Sequence, residues 1–281
     1  MKNENRVIRD FGEEWERFNF LDKDKIEALE EQFRRYTSTL PDKFLERRNL
    51  IIADFGAGTG RWSHFLKEYS SQVYAVEPAT KAFQVLSTRF ANDSKFILLN
   101  ESVQSNQIPE KSLDLAVSLG VLHHIVDTQT AINKVIEKIK PGGVFLGYLY
   151  YALENKPVLY RGIWKASDSI RKVTSRLPTK IKLLVSECIA LSIYLPLSRL
   201  AFIVDKLNGP VGLIPLHHYK NLSFHVMRND ALDRFGTTLE RRFNQDEILQ
   251  LLVTAGFERE TIRFSNEEPF WTFSASVPIN A

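Results

Sequence analysis

The fold is decided by the stretch Ile51-Ile52-Ala53-Asp54-Phe55-Gly56-Ala57-Gly58-Thr59-Gly60-Arg61-Trp62. An apolar strand ends in an acid and continues into a turn with glycine at every second position. A second apolar segment, residues 73–76, is followed by Glu77. Glycine allows positive φ and lets a ligand approach the backbone. The free N–H groups of the next helix suit a carboxylate, and the two acids can accept hydrogen bonds from an ammonium group and a ribose.

This combination favours a site for S-adenosylmethionine, with S-adenosylhomocysteine as the product. The main alternative is a nicotinamide-dinucleotide site of the form G-x-G-x-x-G. Here the third glycine falls one place early, at Gly60, and Arg61 occupies the expected position. A pyrophosphate would also be repelled by Asp54. A structural glycine turn without a ligand is the remaining alternative.

Composition is typical of a folded soluble protein. The chain has 281 residues, of which 44% are hydrophobic and 25% charged. The single cysteine, Cys188, cannot form an internal disulfide, which fits a reducing compartment. Residues 1–10 are polar and show no signal-peptide pattern. We therefore expect a cytoplasmic protein.

The net charge of +3 is unevenly distributed. Residues 151–245 hold 15 Lys/Arg and 7 Asp/Glu, whereas the remainder holds 22 and 27. A basic segment indicates either an acidic acceptor or an anionic surface as its partner. A solvated helical face is the equally weighted alternative.

Strands alternate with helices from Asn49 to Tyr150. Short continuous apolar strands between helices predict an α/β fold with an open, doubly wound sheet. The predicted strands are 50–54, 72–77, 95–100, 113–118 and 144–150, and the predicted helices are 61–69, 80–89 and 128–140. A helix over 246–255 and two terminal strands, 257–264 and 270–277, complete the sheet.

Three regions are predicted. Residues 1–48 form an N-terminal helical lid, 49–150 with 244–281 form the S-adenosylmethionine-binding domain, and 151–243 form a helical acceptor-binding insertion. Within the insertion we expect a basic helix over 161–176 and apolar helices over 180–207. Loop-like Asn208-Gly209-Pro210 and a stretch rich in His and aromatic residues up to Phe243 follow.

The apolar stretch 183–204 has the length of a membrane span. Glu187, Pro196 and Arg199 argue against a span, because charges at bilayer depth are costly. A lid or core helix is favoured, and an interfacial surface that contacts a membrane peripherally is the alternative.

The chain resembles class I S-adenosylmethionine-dependent methyltransferases of the ubiquinone/menaquinone-methyltransferase-like, type 11 small-molecule group. The resemblance lies in Asp54-Phe55-Gly56-Ala57-Gly58-Thr59-Gly60, Val76-Glu77-Pro78, residues 113–124 and Lys140-Pro141-Gly142-Gly143. It implies a Rossmann-like seven-stranded sheet of order 3-2-1-4-5-7-6, with the seventh strand antiparallel. N-terminal helices precede this sheet, and a helical insertion separates strands 5 and 6.

The resemblance also implies positions for the cofactor. Ser102, Val103 and Gln104 border the adenine, although many relatives carry an acid where Ser102 stands. Leu119 and Gly120 line the methionyl arm. The expected cofactor-binding residues are Asp54, Gly56, Ala57, Gly58, Gly60, Arg61, Trp62, Glu77, Pro78, Ser102, Val103, Gln104, Leu119 and Gly120.

Methyl transfer from a sulfonium needs an acceptor atom held in line and a route for its proton. His123 and His124 follow the fourth strand, at the sheet edge where ligands bind in such folds. One of them is expected to be the base, and positioning of the loop is the alternative role. No zinc-binding spacing is present, so we predict no metal site.

Acceptor-binding residues are expected in three places: an F-G-x-x-W element near the N-terminus, the end of the fifth strand, and a His- and Arg-rich segment after the inserted helices. Packing between helices is the alternative role for Trp15. The residues are Trp15, Tyr150, Tyr151, His217, His218, Arg228, Asp233 and Arg234.

These observations predict methyl transfer from S-adenosylmethionine to a small-molecule acceptor, which the basic insertion suggests is anionic. An oxygen of a sugar, a phosphorylated compound or a natural-product intermediate is favoured. A catalytically silent binding module and a lipid-quinone C-methyltransferase are the alternatives. Nucleic acid is not favoured, because Ser118-Leu119-Gly120-Val121 stands where an N-P-P-Y motif would lie. Both a monomer and a homodimer are compatible with the sequence.

Overall fold

The computed structural model describes residues 23–267 and 271–279. The F-G-x-x-W element at residues 11–15, which includes Trp15, lies outside this part of the chain. The described residues belong to two compact units, one drawn from Met1–Glu154 and Leu239–Ala281, the other formed by Asn155–Thr238.

Seven strands of the first unit form one sheet in the order β3-β2-β1-β4-β5-β7-β6. The first five pair in parallel, and β7 runs antiparallel to both β5 and β6. This confirms the predicted fold class and strand order. The strands are β1 Leu50–Phe55, β2 Ser70–Val76, β3 Phe96–Leu99, β4 Leu113–Leu119, β5 Ile139–Tyr148, β6 Arg263–Phe264 and β7 Thr272–Ser276.

Helices cover both faces of the sheet, so successive strand side chains enter two different cores. Ala53 and Phe145 belong to one apolar cluster, which the helices Thr128–Lys138 and Gln245–Ala255 complete. Ile52 and Leu146, one residue away in each strand, belong to the other, which α1 and α2 complete. The helices of this unit are α1 Lys23–Thr37, α2 Ser63–Leu66, α3 Thr80–Phe90, α4 Thr128–Lys138 and α9 Gln245–Ala255.

Local signals set the helix ends. The Asp127 side chain accepts a hydrogen bond from the Thr130 amide at the start of α4. Asn244 and Glu247 form a capping box at the start of α9, and Gly256 ends that helix at φ 104°.

Three predicted elements were too long. The helix predicted over 61–69 is one turn, α2, followed by a 3₁₀ turn, Lys67–Tyr69. The helix predicted over 128–140 ends at Lys138, because β5 begins at Ile139 and pairs there with Leu113. The strand predicted over 257–264 keeps two residues in the sheet, since a 3₁₀ turn occupies Arg259–Thr261.

The second unit is helical. Its helices are α5 Val158–Thr174, α6 Thr179–Ile189, α7 Leu195–Lys206 and α8 Phe224–Gly236, and a π-helical turn, Ala190–Tyr194, joins α6 to α7. Helix α8 lies in the His- and aromatic-rich stretch up to Phe243, where the sequence analysis assigned no element. Met227, Ala231 and Phe235 recur at four-residue spacing and are buried, a helical signal that was present in the sequence.

Residues Thr179–Lys206 form one helix, and in the described part of the chain it is the one that is long and apolar enough to cross a membrane. That finding concerns length and composition alone. Only 22% of its most apolar window is buried, so it is not a core helix. The other form of the favoured expectation, a lid helix, stays a prediction.

Phe273 on β7 provides a test of the core. Its side chain is fully buried, and its ring lies 5.4 Å from that of Phe145 on β5. We expect Phe273→Ala to lower the free energy of unfolding by about 3–5 kcal/mol, because the change leaves a cavity between paired strands. Chemical denaturation measures this. The control Val253→Ala, on the exposed side of α9, should change it by less than about 0.5 kcal/mol; equal losses would contradict this account of the core.

Candidate functional site

The glycine loop after β1 is pinned to the end of β2. The amides of Gly56 and Ala57 both donate to the Val76 carbonyl, at 2.8 and 3.0 Å. Gly56 and Gly60 have φ of 78° and 87°. A Cβ atom at Gly56 would overlap the Val121 side chain, and one at Gly60 would overlap the Phe90 ring. The turn therefore depends on glycine at both positions.

Glu77 links this loop to the start of α3. One carboxylate oxygen accepts from the Gly58 amide at 2.8 Å, and the other accepts from the Ala79 amide at 2.7 Å. The Asn100 side-chain amide, just beyond β3, donates to the Glu77 carbonyl at 2.8 Å. Sequence reasoning did not select Asn100; its signal was an amide residue directly after a strand that neighbours β2.

Asp54 lies at the other side of the loop and is buried. Its carboxylate accepts from the Ser63 hydroxyl at 2.5 Å. Ser63 is fully buried in the first turn of α2. The sequence analysis did not select Ser63 either, although a serine at the start of the helix that follows an acid-ending strand is a recognisable signal.

Both carboxyl groups have raised pKa values. Burial raises the pKa of Asp54 to about 6, against the opposing effect of its hydrogen bonds with Ser63. Burial also raises the pKa of Glu77 to about 7; the Ala79 and Gly58 amides oppose this rise, and the charge of Asp54 adds to it. Among the described residues, no Lys or Arg side chain pairs with either group. A bound cation would favour the ionised form of both.

The residues expected at the adenine and methionyl groups lie at the ends of β3 and β4. Ser102 forms a turn with Ser105, and Val103 packs into the core. Gln104 is half-buried, as is Pro78 after β2. Leu119 is buried at the end of β4.

Three more of the expected cofactor-binding residues, Gly120, Arg61 and Trp62, have defined partners. The Gly120 amide donates to the Tyr148 carbonyl at 3.1 Å. The Arg61 guanidinium lies 5.4 Å from the centre of the Trp62 ring, which packs edge-on against Tyr36. The roles of these residues toward a cofactor stay predictions.

His123 is buried against Tyr150. Their rings stack with centres 3.7 Å apart, and neither ring nitrogen of His123 has a hydrogen-bond partner among the described residues. Burial lowers the pKa of His123 well below its usual value, and His124 and Arg242 lower it further. The ring is therefore neutral at physiological pH. In His124, Nδ1 lies 2.7 Å from the Leu239 carbonyl. Because a carbonyl only accepts, Nδ1 carries the proton.

Arg242 joins this group, although the sequence did not mark it as a site residue. Its guanidinium lies 5.2 Å from the centre of the Tyr150 ring and donates to the Tyr151 carbonyl at 3.2 Å. It also donates to the Glu240 carboxylate at 2.8 Å, so its charge is balanced. The structure thus brings Tyr150 and Tyr151 together with the histidine pair. The sequence did contain a signal for this role of Arg242, namely the acid Glu240 two residues before it.

The remaining predicted acceptor residues belong to the second unit and have partners inside it. His217 Nδ1 lies 3.1 Å from the Ile214 carbonyl, and the His218 ring lies 4.1 Å from that of Tyr219. The other three predicted residues pair as Arg228 with Glu187, Asp233 with Thr237, and Arg234 with Ser167. The role of all five toward an acceptor stays a prediction.

Metal binding is a separate question. Within residues 23–267 and 271–279, no three His, Cys, Asp or Glu side chains are grouped so that they could hold an ion. The expectation of a metal-free site stays a prediction.

Comparisons with known proteins agree with this geometry. Residues 53–147 match the family model described as "Methyltransferase domain". The chain contains a class I methyltransferase domain. S-adenosylmethionine is the cofactor of this domain, as the sequence predicted.

The relatives match over part of their length. An uncharacterized methyltransferase of Mycobacterium tuberculosis is 29% identical over 113 residues, which are 40% of this chain and 55% of the relative. One from Geobacillus kaustophilus is 29% identical over 131 residues, covering 42% and 56%. The chain thus spans about half the length of these curated relatives.

A solved structure from Bacillus halodurans, assigned as a methyltransferase, is similar in fold. It has a TM-score of 0.50 at 9% identity and covers 91% of this chain and 99% of its own. At this identity the likeness concerns the fold of the methyltransferase domain and not its substrate.

The raised carboxyl pKa values predict how binding of S-adenosylmethionine to this domain depends on pH. Below about pH 6, Asp54 and Glu77 both carry protons that a cationic ligand must displace, so affinity rises with pH through the range of about 6 to 7. Stability of the ligand-free protein changes in the opposite direction. The folded-state pKa values lie above the unfolded ones, so stability is lost as pH rises through this range.

Isothermal titration calorimetry across this range measures the first effect, and Asp54→Asn should give a shallower dependence because one titrating group is gone. An affinity for S-adenosylmethionine that is constant with pH, or that falls as pH rises, would show that these carboxyls do not face the bound cation.

Proposed function

We propose that this protein transfers the methyl group of S-adenosylmethionine to a hydroxyl oxygen of a small-molecule acceptor that binds beside His123 and Tyr150. The observation that carries the proposal is the pair of buried carboxyl groups, Asp54 and Glu77, on either side of the glycine loop. Neither is paired with a cation among the described residues, and burial disfavours the ionised form of both.

S-adenosylmethionine fits this environment chemically. It brings an ammonium and a sulfonium, which offset the buried negative charge, and a ribose whose hydroxyl groups donate to a carboxylate. The carboxylate oxygens of Glu77 each accept one backbone amide. Each oxygen has a second lone pair for a ribose hydroxyl. Asp54 likewise keeps acceptor capacity beyond its bond with Ser63.

The neutral ring of His123 supports oxygen as the methylated atom. When the C–S bond breaks, its electron pair stays on sulfur, and an oxygen lone pair forms the new C–O bond. The hydroxyl proton must then leave, and an imidazole nitrogen can take it. Both ring nitrogens of His123 are buried and without a partner among the described residues. An acceptor hydroxyl would supply the missing hydrogen bond, whose absence costs about 1–3 kcal/mol.

The surroundings of His123 favour a ring-shaped, uncharged acceptor group. Tyr148 and Tyr150 lie with ring centres 5.8 Å apart and make the surroundings of His123 aromatic. The nearby charge of Arg242 is balanced by Glu240. A sugar or natural-product hydroxyl therefore suits this region better than a phosphate, and a phosphorylated acceptor would need cations from elsewhere in the chain.

Binding and turnover are tested together. The protein is titrated with S-adenosylmethionine by calorimetry and is then incubated with methyl-labelled cofactor and a panel of sugars, phenols and phosphorylated sugars. We expect binding, and labelled ether product with a hydroxylated member of the panel. Failure to bind the cofactor would refute the proposal. Binding without transfer to any acceptor would favour the silent-module alternative.

His123→Phe tests the proposed base while keeping an aromatic ring against Tyr150. With the acceptor found in the panel, we expect kcat to fall roughly 100-fold or more, because the ring no longer accepts a proton. The dissociation constant for S-adenosylmethionine should stay unchanged. His64→Phe on α2 is the control and should leave kcat within about threefold.

The pH profile adds a second criterion. Because the pKa of His123 is well below its usual value, kcat at saturating cofactor should not decline between neutral pH and about pH 6 through protonation of this ring. A His123→Phe enzyme that keeps its kcat would show that the proton leaves by another route.

A further inference from the structure

The helix over Thr179–Lys206 has its apolar side facing solvent. Six of its large aliphatic side chains are about half exposed: Ile181 48%, Leu184 64%, Leu191 57%, Ile193 44%, Leu200 48% and Ile203 54%. Others, including Ile189 and Leu195, are partly buried against the core of the unit. The residues that it buries are small or polar, or carry a polar tip: Lys182, Ser186, Ala190, Tyr194, Ser198 and Ala201. A surface helix of a soluble domain normally has the reverse arrangement.

Spacing shows that these exposed side chains form stripes. Ile181, Leu184, Cys188 and Leu191 follow one another at three- and four-residue intervals along α6 and the π-helical turn. Leu200, Ile203 and Leu207 do the same along α7, and Leu207 is 76% exposed. Residues at such intervals lie on one face of a helix. We call this face, from Ile181 to Leu207, the aliphatic surface.

Two exposed cations, Lys180 and Arg199, lie on the same helix as the aliphatic surface. Three more, Arg161, Lys165 and Arg176, lie elsewhere in the second unit, on α5 and just after it. Among the described residues none of these five forms an ion pair. The second unit as a whole holds thirteen Lys/Arg and five Asp/Glu, which locates the basic excess of the chain.

The acids of these helices do not offset that charge, because each already has a cation. Asp168 pairs with Arg171 and Lys172. The other two pair as Glu187 with Arg228 and Asp205 with Lys220, at 2.9 and 2.7 Å. The charge left over in the second unit, including that on the helix itself, is therefore positive.

We propose that the aliphatic surface docks onto an anionic phospholipid bilayer, with the helix lying in the plane of the interface. Aliphatic side chains enter the boundary of the acyl chains, and Lys and Arg stems extend to anionic headgroups. A second copy of this unit would bring like charges together, and a nucleic acid would leave the aliphatic side chains in water. An anionic bilayer satisfies both features.

The helix lies on such a bilayer and does not cross it. Its inner face is packed within the second unit, where Tyr194 contacts Tyr219 and the Ser198 hydroxyl reaches Met227 Sδ at 3.5 Å. A crossing helix would lose this packing and carry Glu187 and Arg199 to bilayer depth.

Cys188 allows a direct test. It is the chain's single cysteine, and it is exposed between Leu184 and Leu191. An environment-sensitive fluorophore is attached there on the full-length protein. We expect its emission to shift to the blue with vesicles of phosphatidylcholine and phosphatidylglycerol, and not with phosphatidylcholine alone. High salt should reverse the shift, because it screens the headgroup attraction. Equal shifts with both lipids, or none, would overturn the proposal.

Unlabelled protein and matched variants separate the two contributions in a co-sedimentation assay. Leu184→Ser/Leu191→Ser should weaken binding about tenfold or more by loss of inserted apolar area, whereas Val253→Ser/Ile279→Ser in the first unit should not. Lys165→Glu/Lys180→Glu should weaken binding similarly, whereas Lys43→Glu/Arg259→Glu makes the same change in net charge and should not. Circular dichroism checks that each variant is folded.

Two further results would contradict lipid docking. If the control variants lose binding as much as the surface variants, net charge or non-specific hydrophobic adsorption to the vesicles explains the effect. If light scattering shows a dimer that Leu184→Ser/Leu191→Ser dissociates, while wild-type protein ignores anionic vesicles, then the aliphatic surface is an interface between copies.

Discussion

The carboxylate of Glu77 holds the cofactor edge of the sheet together. It accepts hydrogen bonds from amides of the glycine loop and of the start of α3, while the Asn100 side chain donates to the backbone carbonyl of Glu77. One residue just after β2, through its side chain and its backbone carbonyl, thus joins the connections that follow β1, β2 and β3. The loop needs this support, because its glycines leave no side chain with which to pack. The same carboxylate is the expected partner of a ribose, so structural support and ligand binding depend on a single group.

This arrangement has an electrostatic consequence. Two acids are buried near each other, and the described chain supplies no cation to pair with either, so the free protein holds them at raised pKa values. Native proteins usually pair buried charges, and departures from that rule concentrate at functional sites. His123 departs from it in a complementary way, as a buried neutral ring whose nitrogens lack partners. In our proposal the cationic cofactor would pair with the two buried acids, and the acceptor hydroxyl would supply the hydrogen bond that His123 lacks.

The second unit buries its apolar side chains less completely than the sheet does. Its core is small and includes Tyr194, Tyr219 and Met227, while several leucines and isoleucines of its longest helix face outward. Packing inside this unit therefore accounts for only part of the apolar content of that helix. The docking onto an anionic bilayer that we propose would account for the rest. A methyltransferase domain with an insertion of this kind would act close to a lipid surface, which would favour acceptors that are concentrated there.

The sequence by itself indicated the doubly wound sheet and the cofactor, and its resemblance to class I methyltransferases implied the strand order. The glycine loop, the two strand-end acids and the alternation of strands and helices are local patterns, and each has one physical interpretation that suits it best. Hydrogen-bond partners such as Ser63 and Asn100, and the joining of Arg242 to Tyr150 and His123, were decided by the tertiary structure, because they connect segments far apart in the chain. The orientation of the helix over Thr179–Lys206 was also decided there. An apolar run has the same composition whether it is buried or exposed, and only the packing of its small and polar residues inward shows which face meets solvent.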